Sequence, residues 1–229
     1  MSDSPAATVH GPELRHHFAD VQQQRDAASL GMWLFLVTEI MFFGGMFCAY
    51  LVYRYWYFGD FAAASKTLDI RLGATNTAVL ICSSLTVVLA VWAAQNGKRK
   101  ILITNLVLTI VLGLTFLGIK AVEYAEKFEK HHVPGATFHF EGTVPGHADL
   151  PANERHAEMF FSLYFAMTGL HALHMIIGIG LFSVLTVLAW KGHYTPGYYT
   201  PLENAGLYWH FVDIVWIYLF PLLYLIDRH

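Results

Sequence analysis

The sequence predicts an all-α polytopic membrane protein, a bundle of five transmembrane helices, and three observations predict it. First, 55% of the residues are hydrophobic and only 14% charged, where a soluble globule carries about 25% charge. Second, five stretches are apolar over the roughly 20 residues that a helix needs to cross hydrocarbon. Third, these stretches are long and continuous rather than short and alternating, which excludes barrel strands. An open sheet edge cannot lie in lipid. The net charge of −3 offers nothing to a nucleic acid.

The polar segment 1–29 carries His10, His16 and His17 but no apolar core of a leader. It is expected to stay on the chain, on the cytoplasmic side, with the first span directing insertion. The membrane domain is expected over 30–229. Its first span runs from about Leu30 to Phe58, with Tyr53, Tyr55, Trp56 and Tyr57 as an interfacial belt at its exit. The second runs from about Leu72 to Ala94. The third starts near Ile101, is apolar to Ile119, and continues as the charged helix KAVEYAEKFEK. The fourth runs from about Glu158 to Trp190 and the fifth from about Ala205 to Ile226, with Tyr208 and Trp209 expected as a second belt. Cys48 and Cys82 lie in apolar runs with no metal-like spacing, so packing is the expected role of each. The cluster Lys98, Arg99, Lys100 sits in a very short loop, which puts that loop and the N-terminus inside and the C-terminus on the periplasmic side. The connection 131–155 is rich in His, Pro and Gly and is expected to cover the outer surface. His131, His132, His139, His147 and the adjoining His156, with Glu141 and Asp149, lack helical metal-ligand spacing, so no metal site is assigned there.

Ionisable groups inside the spans demand partners, because a lone charge in hydrocarbon is costly. Glu39 stands in LFLVTEIMFF, an otherwise greasy run. It is expected to face the bundle interior, neutral, against polar groups such as His171 or His174. Lys120 and Glu123 are three apart and Glu123 and Lys127 four apart, so charge compensation is built into one helix. Glu126, Lys127 and Glu129 read as its solvated end. His171 and His174 share a face. They could ligate a metal, but both project from one side of one helix and so cannot fill both axial positions of a haem. Interhelical hydrogen bonding is the plainer role, with Gly169, Gly178 and Gly180 allowing close approach. In YWHFVDIVW, His210 and Asp213 are three apart, and Trp209 and Trp216 seven apart. This His–Asp pair could hold a neighbouring helix or a lipid headgroup. There is no Gly-rich phosphate loop, no CxxCH and no CxxxC. Chemistry is therefore expected in a partner, and no catalytic residue and no metal ligand is assigned.

Four segments, in order, carry a resemblance: LGMWLFLVTEIMFFGGMFCAY, FLGIKAVEYAE, FFSLYFAMTGLHALHMIIG and YWHFVDIVWIYLF. Together they resemble subunit III of haem–copper terminal oxidases, in the five-helix bacterial form. The resemblance implies an accessory subunit that carries neither haem nor copper. Those cofactors belong to partner subunits I and II, of which subunit I reduces oxygen to water and pumps protons. A small fourth subunit can join them. Subunit III of the family binds structural phospholipid, keeps subunit I active through turnover and supports proton uptake. Electrons come from cytochrome c or quinol through other subunits. The family's intramembrane acid corresponds to Glu39, its third-span acid to Glu123 and its paired histidines to His171 and His174. Its final signature corresponds to Glu203, Trp209, His210 and Asp213. Glu203, Trp209, His210 and Trp216 are expected to touch lipid or another subunit.

Two departures stand out. The common seven-span form has two further N-terminal spans, which wall a lipid cleft, and the His-rich third connection looks unusual. A bacterial inner membrane is the expected setting. Two other readings remain at this level: a quinol oxidase subunit III or the accessory protein of nitric oxide reductases, and a small proton channel or transporter using Glu39, Glu123 and Asp213.

Overall fold

The computed structural model describes residues 18–135, 138–147 and 150–227. His10, His16, His17 and Asp149 lie outside the described residues.

Among the described residues, five helices are long and apolar enough to cross a membrane. They are α1 (Val21–Trp56), α3 (Ile70–Gln95), α4 (Arg99–Glu129), α5 (Glu154–Trp190) and α6 (Thr200–Tyr224), and a short α2 (Phe58–Ser65) follows α1. A continuous helix satisfies its own backbone groups, which hydrocarbon cannot do. The ends are closed locally. Asp20 accepts from the Gln23 amide at 2.7 Å, Asp69 from Arg71 at 2.7 Å and Asn153 from Arg155 at 3.0 Å. Turns at one end of the bundle use Gly97 and Gly192 at φ +66° and +79°. Arg99, part of the basic cluster, donates to the Ala189 and Trp190 carbonyls at the C-terminal end of α5. Lys98 lies 4.3 Å over the Trp92 ring. The cluster is thus partly built into the fold.

Helices α3, α4, α5 and α6 form the body, with α3 against α4 and α6, and α5 against α4 and α6. Helix α1 leans on α6 and α5. Its buried residues are Leu36, Phe43 and Tyr50, one every two turns, so it touches the body along a narrow stripe. The core gathers where aromatic side chains meet. Trp209, Trp216, Tyr164 and Tyr224 are all fully buried.

Several expectations change here. Helix α1 begins at Val21, inside the polar segment, because the Asp20 cap starts it there. Helix α2 has no counterpart in the sequence reading. Its FAAAS stretch is buried against α5, since small side chains let the backbone come close. Tyr55 and Trp56 are exposed at the end of α1, but Tyr208 and Trp209 are buried and form no belt. The reason is that α6 starts at Thr200, so these rings lie more than two turns inside it. Cys48 and Cys82 are exposed on the bundle's outer face rather than packed in its core. Among the three glycines singled out on α5, only Gly178 has a tight neighbour, where an added Cβ would meet the Trp209 ring at 2.6 Å. Gly180 has nothing within 4 Å.

Candidate functional site

The chemistry-bearing side chains form three groups, all within the bundle. The largest joins α4, α5 and α6. Lys120 Nζ donates to Glu123 Oε2 at 3.0 Å, to the Tyr164 hydroxyl at 3.2 Å and to the Tyr224 hydroxyl at 2.9 Å. Glu123 Oε1 accepts from Tyr164 at 2.9 Å and from Tyr224 at 2.5 Å. The ammonium also lies 5.1 Å from the centres of the Trp216 and Tyr164 rings. A buried ion pair is tolerated only when its remaining donors and acceptors are also satisfied, and here the tyrosines do that. Chemically the cluster is a closed clamp on three helices.

Lys127 departs from expectation. It is buried, and it donates to the Thr67 carbonyl at 2.6 Å instead of pairing with Glu123. Its ammonium ties α4 to the turn before α3, while the Glu126–Lys130 pair at 2.5 Å stays exposed.

The second group holds Glu39. Its Oε2 lies 3.2 Å from His174 Nε2, and His174 Nδ1 donates to the Leu170 carbonyl at 2.9 Å. That bond fixes the tautomer and leaves Nε2 to accept from a neutral Glu39, or to donate when the ring is charged. The Glu39 side chain is 19% exposed and the His174 side chain 11%. The acid therefore sits at the α1–α5 seam, close to the outside, rather than deep in the bundle. His171 lies elsewhere. It is buried between the Phe116 and Trp216 rings, with each centroid 5.3 Å away, and among the described residues neither nitrogen has a hydrogen-bond partner. Asn76, also buried, has an equally unpaired amide. Sequence reasoning missed Asn76, although a lone amide in an apolar run was the available signal.

The third group lies on α6. His210 Nδ1 is 2.6 Å from the Ser84 hydroxyl of α3. Trp209 Nε1 donates to Ser83 at 2.9 Å and Trp216 Nε1 to Thr77 at 3.1 Å. Both tryptophans have no exposed surface. They cannot touch lipid or another subunit, and the expectation that they would is corrected. The indole of Trp209 is held between Gly113 of α4 and Gly178 of α5, where a Cβ would meet it at 3.0 and 2.6 Å. Glu203 and His210 instead line a cleft of about 720 Å³ with Gln22, Arg25, Gln95 and Asn204. His210 also borders an apolar groove of about 470 Å³ between α1 and α6. Asp213 is buried on the α3 side of α6.

Outside the membrane, the third connection is anchored on α2 and α5. Asp60 accepts from the Asn153 amide at 2.8 Å and lies 2.6 Å from His156 Nδ1, whose ring stacks on Tyr57. His139 is exposed, and the Glu141 and Glu154 carboxylates beside it hold its pKa up. His132 packs against Phe161 and Phe140, and burial, helped by Lys127 and Lys130, pushes it down to about 4. Among the described residues, no group of three or more His, Cys, Asp or Glu is arranged to hold a metal ion.

Comparison with known proteins gives this architecture its place. The family model described as Cytochrome c oxidase subunit III matches residues 8–146 and 156–227. The match runs through most of the third connection and leaves 147–155 of it unmatched. Cytochrome c oxidase subunit 3 of Gallus gallus is 34% identical over 222 residues, covering 91% of this chain and 72% of that protein. The Danio rerio and Cyprinus carpio proteins of the same name are each 33% identical over 221 residues, with the same coverage. The chain, with its five membrane helices matched along nearly their whole length, therefore belongs to the cytochrome c oxidase subunit III family.

Proposed function

We propose that this chain is the non-catalytic third subunit of a proton-pumping haem–copper oxidase in a bacterial inner membrane. It packs on the catalytic subunit, stabilises it through turnover and holds structural lipid. The single observation that carries the non-catalytic reading is the saturation of Glu123. Its carboxylate is closed by Lys120, Tyr164 and Tyr224 at 2.5–3.0 Å, a brace between helices with no site open to a substrate. The lipid reading is supported by the polar cleft beside Arg25 and Asn204, which meets the apolar α1–α6 groove at Leu207 and His210. A headgroup and an acyl chain fit that sequence of surfaces.

Glu39 is the residue through which proton uptake would be supported. It stands in the apolar stretch of α1, 19% exposed at the seam with α5, and its hydrogen bond to His174 gives it a proton partner. The test uses the purified complex. Removing this chain should leave the initial rate of oxygen reduction intact and shorten the active lifetime during turnover. Loss of the initial rate would contradict a non-catalytic role. Glu39→Gln keeps the shape and a hydrogen bond but cannot exchange a proton. A lower proton yield per electron in that variant supports the uptake role, and an unchanged yield with unchanged lifetime removes it.

A further inference from the structure

We infer that the groove between α3 and α6 is the seat of a membrane helix from a partner subunit, and that this helix presents a hydrogen-bond donor to Asp213. The inference rests on the reading of this chain as one subunit of an assembly.

Asp213 is 3% exposed and lines a cavity of about 410 Å³ open on the side of the bundle. Neither carboxylate oxygen has a hydrogen-bond partner among the described residues. Ser84 lies near the carboxylate and contacts His210 Nδ1 at 2.6 Å; even where the ring is the donor in that contact, the hydroxyl has one proton and can serve only one of the two oxygens. The rim is apolar: Ile81, Leu85, Val88, Ile214 and Ile217 are all about half exposed. An acid without a partner, ringed by exposed aliphatic side chains, is half of a polar contact.

Depth decides what supplies the other half. Asp213 stands near the middle of the 25-residue helix α6, roughly 17–20 Å from either end at 1.5 Å per residue. Lipid headgroups lie at the ends of such a helix, and only acyl chains reach its middle. An acyl chain fills the groove but offers no donor, so the carboxylate would stay unsatisfied at a cost of several kcal/mol. A helix with a Ser, Thr, Asn or Gln facing the groove buries the aliphatic rim and closes the hydrogen bond together.

The experiment places a benzophenone photo-crosslinker at Leu85 or Ile217, and as controls at Leu173 and Ile177 on the exposed face of α5, in the full complex with Asp213 intact. Asp213→Asn and Asp213→Leu are made in parallel, and retention of this chain through detergent washing is measured. We expect crosslinks to a partner subunit from Leu85 and Ile217. We also expect near-normal retention for Asp213→Asn and about tenfold weaker retention for Asp213→Leu, the effect of one lost buried hydrogen bond. If the chain co-purifies but crosslinks at Leu85 and Ile217 reach only lipid, or Asp213→Leu is retained like the parent, the inference fails and the subunit assignment stands. If the unaltered chain does not co-purify with haem-bearing subunits, the subunit assignment itself fails.

Discussion

At the scale of single residues, the strongest feature is the pairing of Lys120 with Glu123. Their side chains are 4% and 1% exposed, at 3.0 Å. Removing one partner of such a pair leaves the other charge stranded, which costs about 3–5 kcal/mol. Lys120→Met should therefore lower the midpoint of detergent-induced unfolding sharply. Lys120→Met combined with Glu123→Leu should recover much of the loss, because no unpaired charge remains. Equal midpoints for the single and double variants would show that the pairing is not what stabilises α4. The i, i+3 spacing made this pair legible in the sequence. The two tyrosine hydroxyls were not, because Tyr164 and Tyr224 lie 44 and 104 residues downstream of Lys120, on other helices, and nothing local marks them. Lys127 shows the same limit. Its spacing from Glu123 suits an ion pair, yet the Thr67 carbonyl of another turn accepts its hydrogen bond.

At the scale of elements, close packing of α5 on α6 depends on one glycine. A Cβ at Gly178 would stand 2.6 Å from the rigid, buried Trp209 ring, whereas Gly180 faces open space. Overpacking of that kind costs about 1–3 kcal/mol, so Gly178→Ala should lower the thermal midpoint. Gly180→Ala should leave it unchanged or raise it slightly, because Ala is the better helix former. Similar effects of both variants would show that the Trp209 contact is not limiting. The third connection responds to pH through two histidines of opposite tendency. The pKa of His132 is lowered, so its packing is fully present above the unfolded value of 6.5 and is lost as pH falls toward about 4. The pKa of His139 is raised, so its contacts with Glu141 and Glu154 are present below 6.5 and fade as pH rises past it. Amide exchange in this connection should accelerate on both sides of weakly acidic pH. His132→Phe should remove the acid limb and His139→Gln the alkaline limb, with each limb read by exchange mass spectrometry. Persistence of the acid limb in His132→Phe would assign it to another group.

At the scale of the whole molecule, α1 is attached by a stripe of three buried residues and presents Trp33, Ile40, Met41 and Phe42 outward. Exposed apolar surface of this kind is covered by lipid or by another subunit, as expected of one member of a membrane complex. The chain's five crossings put Lys98, Arg99 and Lys100 at the same end as the start of α1, and the end of α6 at the other. With the basic loop inside, an alkaline phosphatase fused after residue 229 should be active and a cytoplasm-dependent fluorescent reporter dark. The reverse pair of results would invert the orientation. Arg99 and Lys98 already have partners within the fold, but a charge spent on a carbonyl or a ring still resists crossing the bilayer.

The sequence by itself determined the number of membrane-spanning helices, their order and the family, because hydrocarbon imposes a length and a composition that one linear pattern records. It also marked Glu39, Glu123, His174 and Asp213 as polar groups that needed explanation. Only the tertiary structure decided which partner each one has. It joined Glu39 to His174, enclosed His171 between aromatic rings, moved Tyr208 and Trp209 from the membrane boundary to the core, and left Asp213 facing a groove. The physical reason is that burial and hydrogen bonding inside a bundle depend on how helices rotate and slide against one another, and small residues such as Gly178 set that fit through contacts between segments far apart in the chain.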